Sequence, residues 1–433
     1  MDIKELNDFD LGQSMFELIK SLYPICRSIT GNGNRITLRM IKDFIPLEIK
    51  EVPTGVKVFD WTVPKEWNIR DAYIKDPNGK KIIDFKDSNL HVLNYSIPVH
   101  NKISLSELKG HLFTLPEYPD WIPYKTSYYN ENWGFCMSYN QFKELIDGEY
   151  EILIDSTLKE GSLTYGEYII KGSSEDEILI SCHICHPSLC NDNLSGIALV
   201  THLAKALSSK KLRYSYRFLF IPGTIGSITW LSLNEARVSF IKHGLVVALV
   251  GDSGHITYKK SRKGDAEIDR AVSYVLKTSG DKYEIIDFIP YGYDERQFCS
   301  PGFNLPVGCF MRTPYGKYPQ YHTSADNLEF IKLECLIDSF RKILKILSII
   351  DNNKAYKNKN PKCEPQLGKR GLYSEIGGGD KKLRELAMLW ILNLSDGKHT
   401  LLDIAEKSSI DFDLLVDIAN ILERHELLES TGC

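Results

Sequence analysis

Residues 177–209 read EILISCHICHPSLCNDNLSGIALVTHLAKALSS. The first seven form a short, apolar-rich run of strand length that ends at His183. From Leu194 apolar residues return at helical spacing, so 194–209 predict a helix. The segment between holds His183, Cys185, His186, Cys190 and Asp192. Zinc, a disulfide or a catalytic cysteine would each explain part of that set. A strand, a loop and a helix in this order form one unit of an α/β fold.

The same texture extends on both sides. EYEILIDS (149–156), GEYIIKG (166–172), YRFLFIPG (216–223) and LVVALVGD (245–252) read as strands, and LIDSFRKILKILSII (336–350) as a helix. The fold class is therefore α/β, with a mixed, largely parallel sheet flanked by helices. In such sheets, ligands sit beyond the carboxyl ends of the strands. His183 and Asp252 each follow a strand, Asp192 precedes a helix, and His322 in YHTSADN ends a long loop (291–327). Four such residues can converge at one sheet edge, and imidazole with carboxylate suits zinc. His186 is a reserve ligand. His202 and His243, on or beside helices, read as packing histidines. Asp192 has a plainer alternative as a helix cap.

Composition bounds the function class. The 433 residues carry a net charge of −4, with 43% hydrophobic and 25% charged residues. That gives no sign of a strongly basic surface for nucleic acid. The longest apolar runs are too short to span a bilayer, and MDIKELNDFDLGQSMF lacks a basic, then apolar, leader pattern. A cytoplasmic protein without membrane contact is expected. Ten cysteines in this length are not a disulfide scaffold.

Residues 57–124 alternate apolar and polar positions around a PNGK turn (77–80), predicting a small inserted β-rich domain. Residues 1–56 and 125–355 then form the main α/β domain. A Lys-, Asn- and Gly-rich connection (351–380) leads to three helical segments, read as a winged-helix unit over 365–433. From Asp411 onward this unit holds six acids against one base, Arg424. That opposes a phosphate-binding role. Contacts with protein are expected instead, either with the main domain or with a second subunit as a homo-oligomer.

ILISCH…NDNLSGIALV resembles the zinc aminopeptidases of the bacterial leucyl aminopeptidase type, within the di-zinc exopeptidase superfamily. The likeness spans roughly residues 150–350, and the insert and winged-helix tail resemble one subgroup of it. The resemblance implies one or two zinc ions held by His183, Asp192, Asp252 and His322, with Asp192 bridging. This chain departs from the pattern in three places. Cys185 replaces an aspartate that orients the first histidine. The short loop from His183 to Asp192 adds His186. The strand that should end in Glu-Glu ends in Gly223-Thr224, where the subgroup carries Pro-Glu-Thr-Ile-Gly-Ser and this chain reads PGTIGS (222–227). The family's general base is the first of those glutamates, so Gly223 predicts weakened catalysis unless Glu295 in GYDERQF (292–298) substitutes. Asp294 or Glu295 are candidates for the substrate's ammonium. Asp294, Arg296 and Tyr321 are the candidate substrate contacts, and TSYYNENWGF (126–135) a candidate pocket wall.

The leading reading is a zinc-dependent exopeptidase, most simply an aminopeptidase, acting on a small peptide or amino-acyl substrate. One alternative is a non-catalytic peptide- or amino-sugar-binding protein that kept the fold. Another is a metal-linked regulator using the winged helix, which the acidic last helix opposes.

Overall fold

Glu177–His183 forms a strand buried along its whole length. A strand covered on both faces is what an apolar run without strict alternation encodes. It lies inside an eight-stranded sheet in a computed structural model that describes residues 7–372 and 381–431. Residues 373–380, the glycine-rich part of the connection, lie outside the described residues. The sheet runs Glu48–Pro53, Ser162–Ile170, Ser215–Ile221, Glu177–His183, Ile241–Val247, Val307–Met311, Ile256–Lys259, Tyr283–Ile286. The four central strands, from Ser215–Ile221 to Val307–Met311, are mutually parallel. Antiparallel pairs join Glu48–Pro53 and Ser162–Ile170 at one side, and Ile256–Lys259 at the other. The sheet is mixed and flanked by helices, with a largely parallel centre.

The helix after the ligand-rich loop is Gly196–Leu207, with ten buried residues. Gly196 is required for its close approach to the sheet. A Cβ there would sit 2.4 Å from Asn193 Oδ1 and 2.7 Å from the Val247 carbonyl oxygen. Gly196→Ala is therefore expected to destabilise the protein by ~1–3 kcal/mol, as overpacking does. A thermal or denaturant unfolding curve reads the difference.

EYEILIDS does form a strand, Glu149–Lys159, but outside the main sheet. It pairs antiparallel with Glu66–Lys75 and Val99–Ser104 in a separate four-stranded sheet. Its alternation explains this: Tyr150, Ile152 and Ile154 face a second core with Ala72, Ile74 and Ile103. The inserted β-rich region thus recruits a strand from beyond residue 124. The PNGK turn joins Glu66–Lys75 to Lys81–Asp84 as a hairpin, with Gly79 at φ +81°.

The chain divides into two compact units, one of residues 1–269 and 280–342, the other of 270–279 and 343–433. The second contains helices Lys381–Leu394, Leu401–Ser408 and Phe412–Arg424 with the three-stranded sheet Ala355–Asn358, Asp396–Thr400, Leu428–Ser430. That is a winged helix. Among the described residues no helix is long and apolar enough to cross a membrane, and the nine described cysteines are free.

Candidate metal centre

His183 is the last residue of its strand, at the carboxyl end of the parallel centre. The chain then turns through Pro187 and one wide helical turn, Cys190–Ser195, before Gly196–Leu207. Within that turn Asp192 is non-helical, at φ −110° and ψ 80°. It does not cap the helix, and its carboxylate faces three imidazoles instead. His183 Nε2 lies 2.8 Å from Oδ1, His322 Nε2 2.9 Å from Oδ2, and His186 Nδ1 3.7 Å from Oδ1. All but His322 are buried.

The backbone around Asp192 is fixed by neighbours that the sequence reading did not single out. The N–H groups of Asn191 and Asp192 donate to Asp326 at 2.6 and 3.0 Å. Asn193 donates to the His183 and Val247 carbonyls and accepts from Leu249 N–H. His322 is held by the Tyr124 N–H on its carbonyl at 2.8 Å. Tyr321 stacks on the His322 ring at 4.0 Å, and Tyr124 meets both His186 and His322 edge-on. Arg27, just before the Gly/Asn-rich turn SITGNGNR (28–35), is fully buried and donates to the His186 carbonyl at 2.9 Å. An open cleft of about 490 Å³ leads to this point, lined by Tyr118, Tyr124, Lys125, Lys317, Tyr321 and His322.

Charge follows this geometry. Burial alone would raise the Asp192 carboxyl, but the surrounding imidazoles outweigh it and hold it well below the usual carboxylate range. Burial pushes His186 well below the usual histidine value, which favours a neutral ring. Burial also raises Asp326 to about 8, against the pull of its backbone donors.

The remaining candidates have other partners. Both Asp252 oxygens are engaged, by Asn191 Nδ2, Gly254 N–H and the N–H and hydroxyl of Thr313. Glu295 is fully buried in an ion pair with Lys259 and accepts from Tyr293 N–H. Asp294 is fully buried, accepts from the Ser227 hydroxyl at 2.7 Å, and is raised to about 7 by burial. Neither carboxylate is exposed for an ammonium. Arg296 is exposed on the surface. From the 126–135 stretch, Tyr128 bonds the Tyr124 hydroxyl at 2.8 Å, while Tyr129 is exposed. Removing one partner of a buried ion pair costs ~3–5 kcal/mol. Glu295→Ala is expected to lose that much stability in denaturant unfolding.

Gly223 is where the site departs furthest from expectation. A Cβ there would lie 1.9 Å from Tyr293 Cε1, so the tyrosine ring fills the space of the missing side chain. That ring sits 4.2 Å from the His183 ring, with its hydroxyl 3.3 Å from Cys185 Sγ. Burial raises the Cys185 thiol to about 12, and its Sγ faces Tyr293 Oη and lies outside the close group of His183, His186 and Asp192.

The profile of the domain of unknown function DUF4910 matches residues 16–353, and a winged helix-turn-helix profile matches 354–430. The chain belongs to the DUF4910 family. It is 57% identical, over 98% of both chains, to a Clostridium acetobutylicum protein named for polysaccharide biosynthesis and for an aminopeptidase-like domain. A crystal structure of a protein from the same organism, whose name proposes a peptidase, is 56% identical over 98% of both chains, with a TM-score of 0.93. A zinc aminopeptidase of Bacillus subtilis is 13% identical, covering 78% of this chain and 95% of that one, with a TM-score of 0.56. At that identity the likeness is one of fold. This DUF4910 chain therefore has an aminopeptidase-like fold with a winged-helix tail.

Proposed function

We propose that the chain is a zinc-dependent hydrolase of the exopeptidase type that cleaves a terminal peptide or amide bond slowly. The observation that supports it is the Asp192 carboxylate set among His183, His186 and His322 beyond the strand ends. The residues fit a metal: a buried imidazole nitrogen, His186 Nδ1, has no hydrogen-bond partner in this nitrogen and oxygen cluster. Zinc held there supplies polarisation of a carbonyl and a water of pKa about 7. Of the chain's own groups, Asp192 and imidazoles from among its neighbours would hold the ion, and Tyr124 and Tyr321 wall the approach from the cleft. No carboxylate stands at 223 to take the water's proton. Such general-base help is typically worth ~10²–10⁴-fold. The substrate class is an amino-terminal peptide bond or the amide of an amino sugar; the 57% identical relative is named for polysaccharide biosynthesis as well as for an aminopeptidase-like domain, which keeps both classes in the test.

The test is hydrolysis of amino-acyl, peptidyl and N-acyl amino-sugar amides by the zinc-loaded chain, followed by mass spectrometry. Slow cleavage abolished by a chelator is expected. No cleavage of any of them, by this chain or by one carrying a restored base, would refute the reading. A second reading, a binding protein without chemistry, is favoured by one observation: the Tyr293 ring occupies the base position.

The winged helix serves protein contact and not DNA in this proposal. From Asp411 onward it carries Asp411, Asp413, Asp417, Glu423, Glu426 and Glu429. Leu383, Leu386 and Leu389 are exposed at one-turn spacing on Lys381–Leu394, which suits a second protein surface such as another subunit.

A further inference from the structure

The four expected ligands do not gather around one point. Asp192 Oδ1 faces His183 Nε2 and His186 Nδ1, and the ligand atoms of these three residues all lie within 4.8 Å of one another. His322 stands on the other oxygen, Oδ2, at 2.9 Å. Asp252 is outside the group, with four donors on its carboxylate. Thr224, which stands where the resembling family carries its second glutamate, is neutral. Buried polar atoms are almost always paired, yet His186 Nδ1 has no partner although its residue is only 5% exposed.

We infer that the centre holds one zinc ion per chain, ligated by His183, His186 and Asp192, with His186 taking the part expected of Asp252. His322 is a positioning residue that holds the far oxygen of Asp192. This rests on the hydrolase reading above and fixes its ligand set. Two imidazoles and one carboxylate are the ligand set of zinc sites that keep an open position. A ligating carboxylate is normally hydrogen-bonded from outside, and loss of such a partner costs ~10–100-fold in metal affinity. His322 is built for that part, since its carbonyl is held by Tyr124 N–H and its ring is stacked by Tyr321. Asp252 has a different part. With Asn191, whose side-chain oxygen accepts from Gly251 N–H, it ties the loop of Asp192 to the next strand end.

The full-length chain, stripped with a chelator and titrated with zinc alone, gives the test. Elemental analysis after gel filtration is expected to find one zinc per chain. X-ray absorption at the zinc edge of the unmutated protein is expected to count two imidazoles. His186→Ala should weaken zinc binding by more than ~100-fold, beyond the loss typical of an outer partner. His322→Ala should cost ~10–100-fold, and Asp252→Asn less than ~10-fold, short of the loss that removing a ligand's hydrogen-bond partner brings. Circular dichroism separates these effects from misfolding, and the absorption count needs no variant. Two zinc ions per chain, or a single ion lost in Asp252→Asn but kept in His186→Ala, would overturn the ligand set while leaving a metal hydrolase standing. No bound zinc at all would remove both.

Discussion

Asp192→Ala is expected to lower zinc affinity by more than ~100-fold, a larger loss than removal of an outer hydrogen-bond partner brings. Its carboxylate is the one group that faces His183, His186 and His322 together. Without it the buried imidazoles of His183 and His186 and the partly exposed one of His322 lose their shared carboxylate, and a divalent cation there is poorly compensated. The substitution leaves the backbone donors to Asp326 in place, so the turn itself should persist. Competition against a zinc-binding dye reads the loss. Unchanged affinity would place the metal elsewhere.

The second large effect concerns Gly223. Restoring a glutamate there alone is expected to gain little, because its Cβ would meet the Tyr293 ring at 1.9 Å. Either the ring is expelled or the strand end shifts, at ~1–3 kcal/mol of overpacking. Gly223→Glu combined with Tyr293→Ala removes that conflict. The double variant is expected to hydrolyse amide substrates ~10²–10⁴-fold faster than the unaltered chain, the usual worth of a general base. Tyr293→Ala alone should bring no such gain. If the double variant is no faster than the unaltered chain on any amide, a missing base is not what limits turnover.

Much of this arrangement was legible in residues 177–209. The strand ending at His183 and the helix near Gly196 follow from apolar length and spacing, and the histidine and aspartate types mark a candidate metal centre. His322, read as a ligand at the end of a long loop, does come to the Asp192 carboxylate, on the oxygen away from His183 and His186. What the sequence hid is pairing. Whether Asp252 is open or engaged depends on Thr313, sixty-one residues away, and on Asn191, sixty-one residues before it. Glu295 looked available because nothing local shows that Lys259 lies buried against it. Tyr293 sits beside two residues read for their charge, yet its bulk is what matters: it fills the gap left at Gly223. Strand Glu149–Lys159 was read as a strand but assigned to the wrong layer, because alternation gives a face and not a partner.

The most direct test is anomalous diffraction at the zinc edge from crystals of the zinc-loaded chain. The account predicts a single peak between His183, His186 and Asp192, with Asp252 still bound to Thr313. No peak near Asp192, or a peak coordinated by Asp252, would contradict it.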